Sequence, residues 1–158
     1  MTPQHDFQII GWREWIALPS LGIPAIKAKV DTGARTSALH TFYIEEYAVN
    51  GKPYVKFDIH PVQKRTDIVI CCEAKVKDKR NVRDSGGHEE ERYVIETDVK
   101  IGDFQEPIEV TLTSRDDMKF RMLIGRSALA YQKFCVDPNQ SYLLGERIRK
   151  HALMFKEN

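Results

Sequence analysis

The sequence predicts a mostly-β protein, a small barrel or a sandwich, on three observations. Short runs of alternating apolar and polar residues recur along the chain, which is the pattern of half-buried strands. Tight-turn signals separate those runs, above all Asn50-Gly51 and Gly102-Asp103. Only one or two short stretches, after Gly125 and after Gly145, keep helical spacing.

The elements follow in order. Phe7 to Leu18 reads as a first strand ending at Pro19, and the turn Pro19-Ser20-Leu21-Gly22 reverses it into Ile23–Val30, with Ile26, Ala28 and Val30 on one face. Arg35 to His40 continues outward from the next turn, and Tyr43 to Val49 is a third extended segment. Asn50-Gly51 then makes a hairpin into Tyr54 to His60, closed by Pro61. Asp67 to Val76 is strand-like, whereas 77–92 is polar, highly charged and carries the pair Gly86-Gly87, the composition of a solvated hairpin or mobile loop. Tyr93 to Ile101 turns at Gly102-Asp103 into Glu106 to Thr113, and Phe120 to Ile124 leads into a short helix from Gly125 to Gln132. A strand at Phe134-Cys135-Val136, a turn at Asp137-Pro138-Asn139, an extended Ser141 to Leu144 and an amphipathic helix over 145–156 complete the chain.

Length and composition bound the function. At 158 residues the chain is long enough for one domain with a real core, spanning 1–158 as a single unit. No apolar run approaches the roughly 20 residues that cross a bilayer. Met1 to Asp6 has neither the basic start nor the apolar core of a signal peptide, so a cytoplasmic location is expected. A net charge of +1 gives no reason to expect nucleic acid or an acidic membrane as partner. Three cysteines suit a reducing compartment: Cys71 and Cys72 point to opposite faces of a strand, and Cys135 is expected in the core.

Ala28-Lys29-Val30-Asp31-Thr32-Gly33-Ala34 places a single acid in a tight turn directly after a strand. Asp-Thr-Gly is also an ordinary way to turn a chain. Met122-Leu123-Ile124-Gly125-Arg126, an apolar strand running into Gly and then a helix-forming segment, changes the weight of that triplet. The two stretches, in this order, resemble the retropepsin-like aspartic proteases. Over nearly the whole chain, Gly11-Trp12-Arg13-Glu14, Asp31 to His40, Asp84-Ser85-Gly86-Gly87 and Leu123-Ile124-Gly125-Arg126 are similar to the bacterial members named ATP-dependent zinc proteases.

The resemblance implies a small closed β-barrel, a flap at 77–92 tipped by Ser85, Gly86 and Gly87, and peptide-bond hydrolysis. That chemistry needs two carboxylates sharing one proton, one acting as base toward water and the other hydrogen-bonding the carbonyl oxygen. The chain carries one such triplet, so the resemblance implies a two-fold homodimer with the second Asp31 supplied by the partner. By analogy Asp31 is the acid/base, Thr32 steadies the paired loops, Gly33 and Ala34 let the backbone approach, Gly125 packs below and Arg126 braces the loop. The partners so implied are a peptide or protein substrate, a second copy, and an ATP-grasp ligase of the kind that modifies ribosomal proteins.

The zinc in that name finds little in the motifs, so no metal and no cofactor are expected. His88-Glu89-Glu90-Glu91-Arg92 starts like His-Glu-x-x-His but ends in Arg. A zinc site would have to be assembled in space from His40, His60 and an acid, and the chain has no phosphate-binding Gly-rich loop for ATP. A second function class stays open. Arg35 beside Asp31 could pair with the carboxylate and keep it ionised, turning the cleft into a peptide clamp for acidic chains. A metal-dependent peptidase is a third class.

Overall fold

The computed structural model describes residues 7–83, 86–115, 119–131, 133–145 and 148, and it is mostly β. Among the described residues twelve strands form in chain order: β1 (Gln8–Gly11), β2 (Arg13–Leu18), β3 (Ile23–Val30), β4 (Ser37–His40), β5 (Tyr43–Val49), β6 (Lys52–Ile59), β7 (Ile70–Lys75), β8 (Asp78–Arg83), β9 (Glu89–Ile101), β10 (Phe104–Thr113), β11 (Met122–Ile124) and β12 (Phe134–Asp137). One short helix, α1 (Arg126–Ala130), separates the last two. Among the described residues no helix is long and apolar enough to cross a membrane.

Seven strands pair in the order β10-β4-β11-β3-β2-β9-β8, and β9 also pairs with β10, so six of them close into a ring. The expected closed β-barrel appears here as this ring-like sheet. Beside it, β5-β6-β7 form an antiparallel sheet and β1-β12 a parallel pair. Period-two alternation points one face of each strand inward: Ile16 and Leu18 from β2, Ile26 and Ala28 from β3, Phe57 and Ile59 from β6, and Ile95 and Ile101 from β9 are all fully buried. Burying each such Ile, Leu or Phe side chain stabilises the fold by about 1.5–3 kcal/mol. Asn50 and Gly51 both have positive φ, 52° and 79°, the backbone that a two-residue hairpin between right-twisted strands requires.

The topology fixes where the Asp31 turn lies. Strand β11 is inserted between β3, to which it runs parallel, and β4, to which it runs antiparallel. The 31–36 connection therefore arches over the C-terminal end of β11, at Gly125.

Three expectations are corrected. The first strand is two, broken at Trp12: the Gly11 amide donates to Glu14 Oε2 at 2.8 Å and the Trp12 amide to the Gln140 carbonyl at 3.0 Å, so β1 leaves β2 and joins β12. Ser141 to Leu144 is not a strand, because its amides serve other partners. Leu143 and Leu144 donate to the Glu14 carboxylate at 2.9 and 3.0 Å, and Tyr142 donates to the Arg13 carbonyl at 2.9 Å. Cys135 is exposed, since in β12 the alternation turns Phe134 and Val136 toward the core. Of the 145–156 helix, only Gly145 and Ile148 belong to the described residues, and Ile148 is buried against Ala17 and Ala25.

The charged 77–92 segment is a hairpin with β8 on the open edge of the sheet, pairing Arg83 with Glu89. Its base is held by ion pairs. Arg80 grips Glu109 of β10 through both guanidinium nitrogens, at 3.3 and 2.9 Å, Lys77 reaches Glu96 at 2.8 Å, and Lys79 reaches Glu46 of β5 at 2.8 Å. The Arg80 guanidinium holds the Glu109 carboxyl below its ordinary value, Lys77 adds in the same direction, and partial burial opposes both.

Two expected outcomes follow from these contacts. Glu14 is a fully buried carboxylate with three backbone amides on it; Glu14→Ala should cost about 3 kcal/mol or more in denaturant unfolding, and Glu14→Gln less. Glu109 has a depressed folded pKa, so its contribution is complete above its ordinary value of 4.5 and lost as pH falls through the folded one. The melting temperature of Glu109→Gln should therefore lie below that of the wild type near pH 7, and the gap should narrow as the pH falls below the ordinary value of 4.5.

Candidate functional site

Strand β3 delivers Asp31 to a half-exposed position directly beyond its last residue, on a support made rigid by β11. The Asp31 amide donates to the Ile124 carbonyl at 2.9 Å, continuing the ladder by one residue. Its carboxylate turns back on the loop, where Oδ1 accepts the Gly33 amide at 3.0 Å. A Cβ at Gly33 would lie 3.2 Å from that same oxygen, so the small residue suits the close approach of backbone to carboxylate. Thr32 and Gly33 are themselves exposed.

Beneath this turn, three successive amides at the start of α1 hold the loop. Gly125 donates to Ser37 Oγ at 3.0 Å, Arg126 to the Ala34 carbonyl at 2.8 Å and Ser127 to the Arg35 carbonyl at 3.0 Å. The Arg126 side chain adds a fourth contact, its Nη1 donating to the Thr32 carbonyl at 3.0 Å, the stronger for the charge on the donor. Gly125 has ordinary extended dihedrals (φ −90°, ψ 174°), so its requirement is space and not backbone conformation. A Cβ there would stand 2.6 Å from the Thr36 carbonyl carbon and 2.9 Å from the Ser37 nitrogen.

Of the residues singled out from sequence, the structure thus brings together Asp31, Thr32, Gly33, Ala34, Arg35, Gly125 and Arg126. Gly86 and Gly87 lie at the turn of the separate β8-β9 hairpin, and Ser85 lies outside the described residues. Arg35 is exposed, and among the described residues no ion pair joins it to Asp31, the contact on which the clamp reading rested. Ser37, fully buried, was not recognised from sequence. The signal was a hydroxyl opening an otherwise apolar run, Ser37-Ala38-Leu39.

A pocket of about 460 Å³ opens beside the loop, bounded by Thr32, Arg126, Lys133, Leu129, Phe7 and Phe134. Another, of about 580 Å³, lies at the far end of β3 around Ile23, Pro24 and Lys100, away from Asp31. The histidines considered for zinc are otherwise occupied. His40 Nδ1 is 2.5 Å from Thr113 Oγ1, and His60 stacks on Phe42 at a 4.0 Å ring separation. Among the described residues no three His, Cys, Asp or Glu side chains are grouped as ligands, so this donor set does not fit a zinc site. Burial pushes the Cys72 thiol up to about 12, which keeps it protonated and unreactive.

Residues 9–147 match the family model described as "RimB-like: Retropepsin-like aspartic endopeptidase RimB". Among curated proteins, one from Shewanella pealeana named "Probable alpha-L-glutamate ligase" is 48% identical over 139 residues, covering 88% of this chain and 30% of that protein. One of the same name from Desulfotalea psychrophila is 43% identical over 146 residues, 92% of this chain and 31% of that protein. The chain thus spans about three tenths of the length of the curated relatives it matches, and these relatives carry a ligase name in place of the expected zinc-protease name. A crystal structure of a protein of unknown function from Legionella pneumophila superposes with a TM-score of 0.71 at 27% identity, covering 86% of this chain and 97% of the other.

The packing under the loop makes a direct prediction. Gly125→Ala should destabilise by at least about 2 kcal/mol in denaturant unfolding, because the methyl group would collide with backbone that cannot rotate away.

Proposed function

The chain belongs to the RimB-like family of retropepsin-like aspartic endopeptidases, and we propose that it is itself an aspartic-type endopeptidase whose ring-like sheet serves as the retropepsin-like barrel. The observation that carries the reading is the held Asp31 turn: a carboxylate at a strand end, bonded to the Gly33 amide and braced from below by Arg126 and the α1 amides. One carboxylate cannot perform the reaction alone. Two Asp31 side chains at a homodimer axis would share one proton. The ionised member takes a proton from water as its oxygen attacks the carbonyl carbon, and the protonated member hydrogen-bonds and then protonates the carbonyl oxygen. Collapse of the tetrahedral adduct breaks the C–N bond as the leaving nitrogen is protonated, and the pair returns to its one-proton state. Exposed Thr32 and Gly33 support the dimer, because they leave the loop's outer surface available to a second copy.

The substrate class we propose is a glutamate-bearing peptide or protein tail, and the partner class an ATP-grasp glutamate ligase. The ligase name of relatives that match this chain over about three tenths of their length supports both. Exposed Arg35 beside the loop, with Arg126 and Lys133 in the adjoining pocket, supplies positive charge for such a chain.

Asp31→Asn should fold with an unchanged melting temperature and cleave no peptide. The assay follows hydrolysis of a glutamate-rich fluorogenic peptide across pH, with sedimentation to count subunits. Cleavage persisting in purified Asp31→Asn, or an active monomer, would overturn the proposal.

A further inference from the structure

We infer that Ser37 is a positioning residue, whose buried hydroxyl sets the Asp31 loop by holding the Gly125 amide. The inference rests on the endopeptidase reading above and adds to it a residue outside the Asp-Thr-Gly turn.

Where β11 ends, its ladder runs out. Ile124 is the last residue paired with β3, and the antiparallel pairing with β4 stops at Leu123 opposite Ala38. The next amide, Gly125, has no backbone acceptor in either strand, and Ser37 Oγ takes that place at 3.0 Å in a fully buried position. The two amides that follow bond to the Ala34 and Arg35 carbonyls. Of the three amide contacts that seat α1 on the loop, the one at Ser37 alone has a side chain as its acceptor. It is therefore the contact that a substitution can remove while every backbone group stays in place.

Ser37 is fixed in turn from β10. Its carbonyl accepts Thr111 Oγ1 at 3.3 Å, and β4 runs in parallel register with β10 with Ser37 opposite Val110. The order of support is then Thr111 to Ser37, Ser37 to Gly125, and Gly125 to Arg126, whose guanidinium reaches the Thr32 carbonyl beside Asp31. Losing the Ser37 hydroxyl would let the start of α1 shift, carrying Arg126 away from Thr32. Because reacting groups must be held closely, a small displacement of the carboxylate lowers turnover more than substrate binding.

The test compares the wild type with Ser37→Ala, Ser37→Thr and Thr111→Val in the full chain, using amide hydrogen exchange by NMR and peptide cleavage. In Ser37→Ala the Gly125 amide should exchange at least about tenfold faster and the Gly33 amide resonance should move. Its kcat should fall at least about tenfold with KM within about twofold. Ser37→Thr, which keeps the hydroxyl, should restore slow exchange and turnover, and Thr111→Val should change both in the same direction by less. The inference is overturned if Ser37→Ala exchanges and turns over like the wild type. It is equally overturned if Ser37→Thr is as impaired as Ser37→Ala, which would assign the effect to volume. A wild type that cleaves no peptide overturns the endopeptidase reading, while exchange at Gly125 and the Gly33 resonance still decide for or against Ser37.

Discussion

The contact on which the rest depends is the passage of Gly125 under the Thr36–Ser37 backbone. Two strands flanking the acid, β3 and β4, are separated by an inserted third, β11, so the connecting loop must cross the end of β11 at van der Waals distance. Only a residue without Cβ fits below it, and the amides that follow then meet the loop's carbonyls in sequence. The direction of the Asp31 carboxylate is thus a consequence of strand order, transmitted through backbone hydrogen bonds with little freedom to vary. A turn held in this way keeps an acid in place with no ion pair to it among the described residues.

A second anchor lies beside the same end of β3, where Glu14 pairs with Ala28. Glu14 presents both oxygens to the amides of Gly11, Leu143 and Leu144, joining the start of β2 to the segment that follows β12. A buried carboxylate is costly unless several donors solvate it, and here three backbone amides replace water. The same contact breaks the first strand at Trp12 and frees β1 to pair with β12. Ile9 on that pair and Thr32 on the Asp31 loop are both exposed.

The charged hairpin is tied to the body by polar contacts on its lower half, and apolar packing is sparse there. Arg80, Lys77 and Lys79 reach acids on three other strands, Glu109 of β10, Glu96 of β9 and Glu46 of β5. Exposed ion pairs of this kind are individually weak and screened by salt, so the hairpin's position answers to pH and ionic strength more readily than the ring-like sheet does.

Much of the site was legible along the chain because its parts are contiguous. Asp31-Thr32-Gly33-Ala34 and Gly125-Arg126 each lie in a short run, with an apolar strand before and a small residue where close packing is needed. Most strands and the Asn50-Gly51 turn followed from alternation and turn chemistry, which are local properties. Glu14 shares the parity of inward-facing Ile16 and Leu18 and so could have been placed in the core by period alone; two of its three donors, the Leu143 and Leu144 amides, lie well over a hundred positions away, which no local pattern encodes. Ser37 and Cys135 were misjudged or missed for the same reason, since what covers a residue depends on which distant strand arrives beside it. The chain by itself determined which residues alternate, turn and carry charge, because those are short-range preferences. Only tertiary structure decided that β11 enters between β3 and β4, and through that insertion which amide needs a hydroxyl and which glycine cannot be replaced.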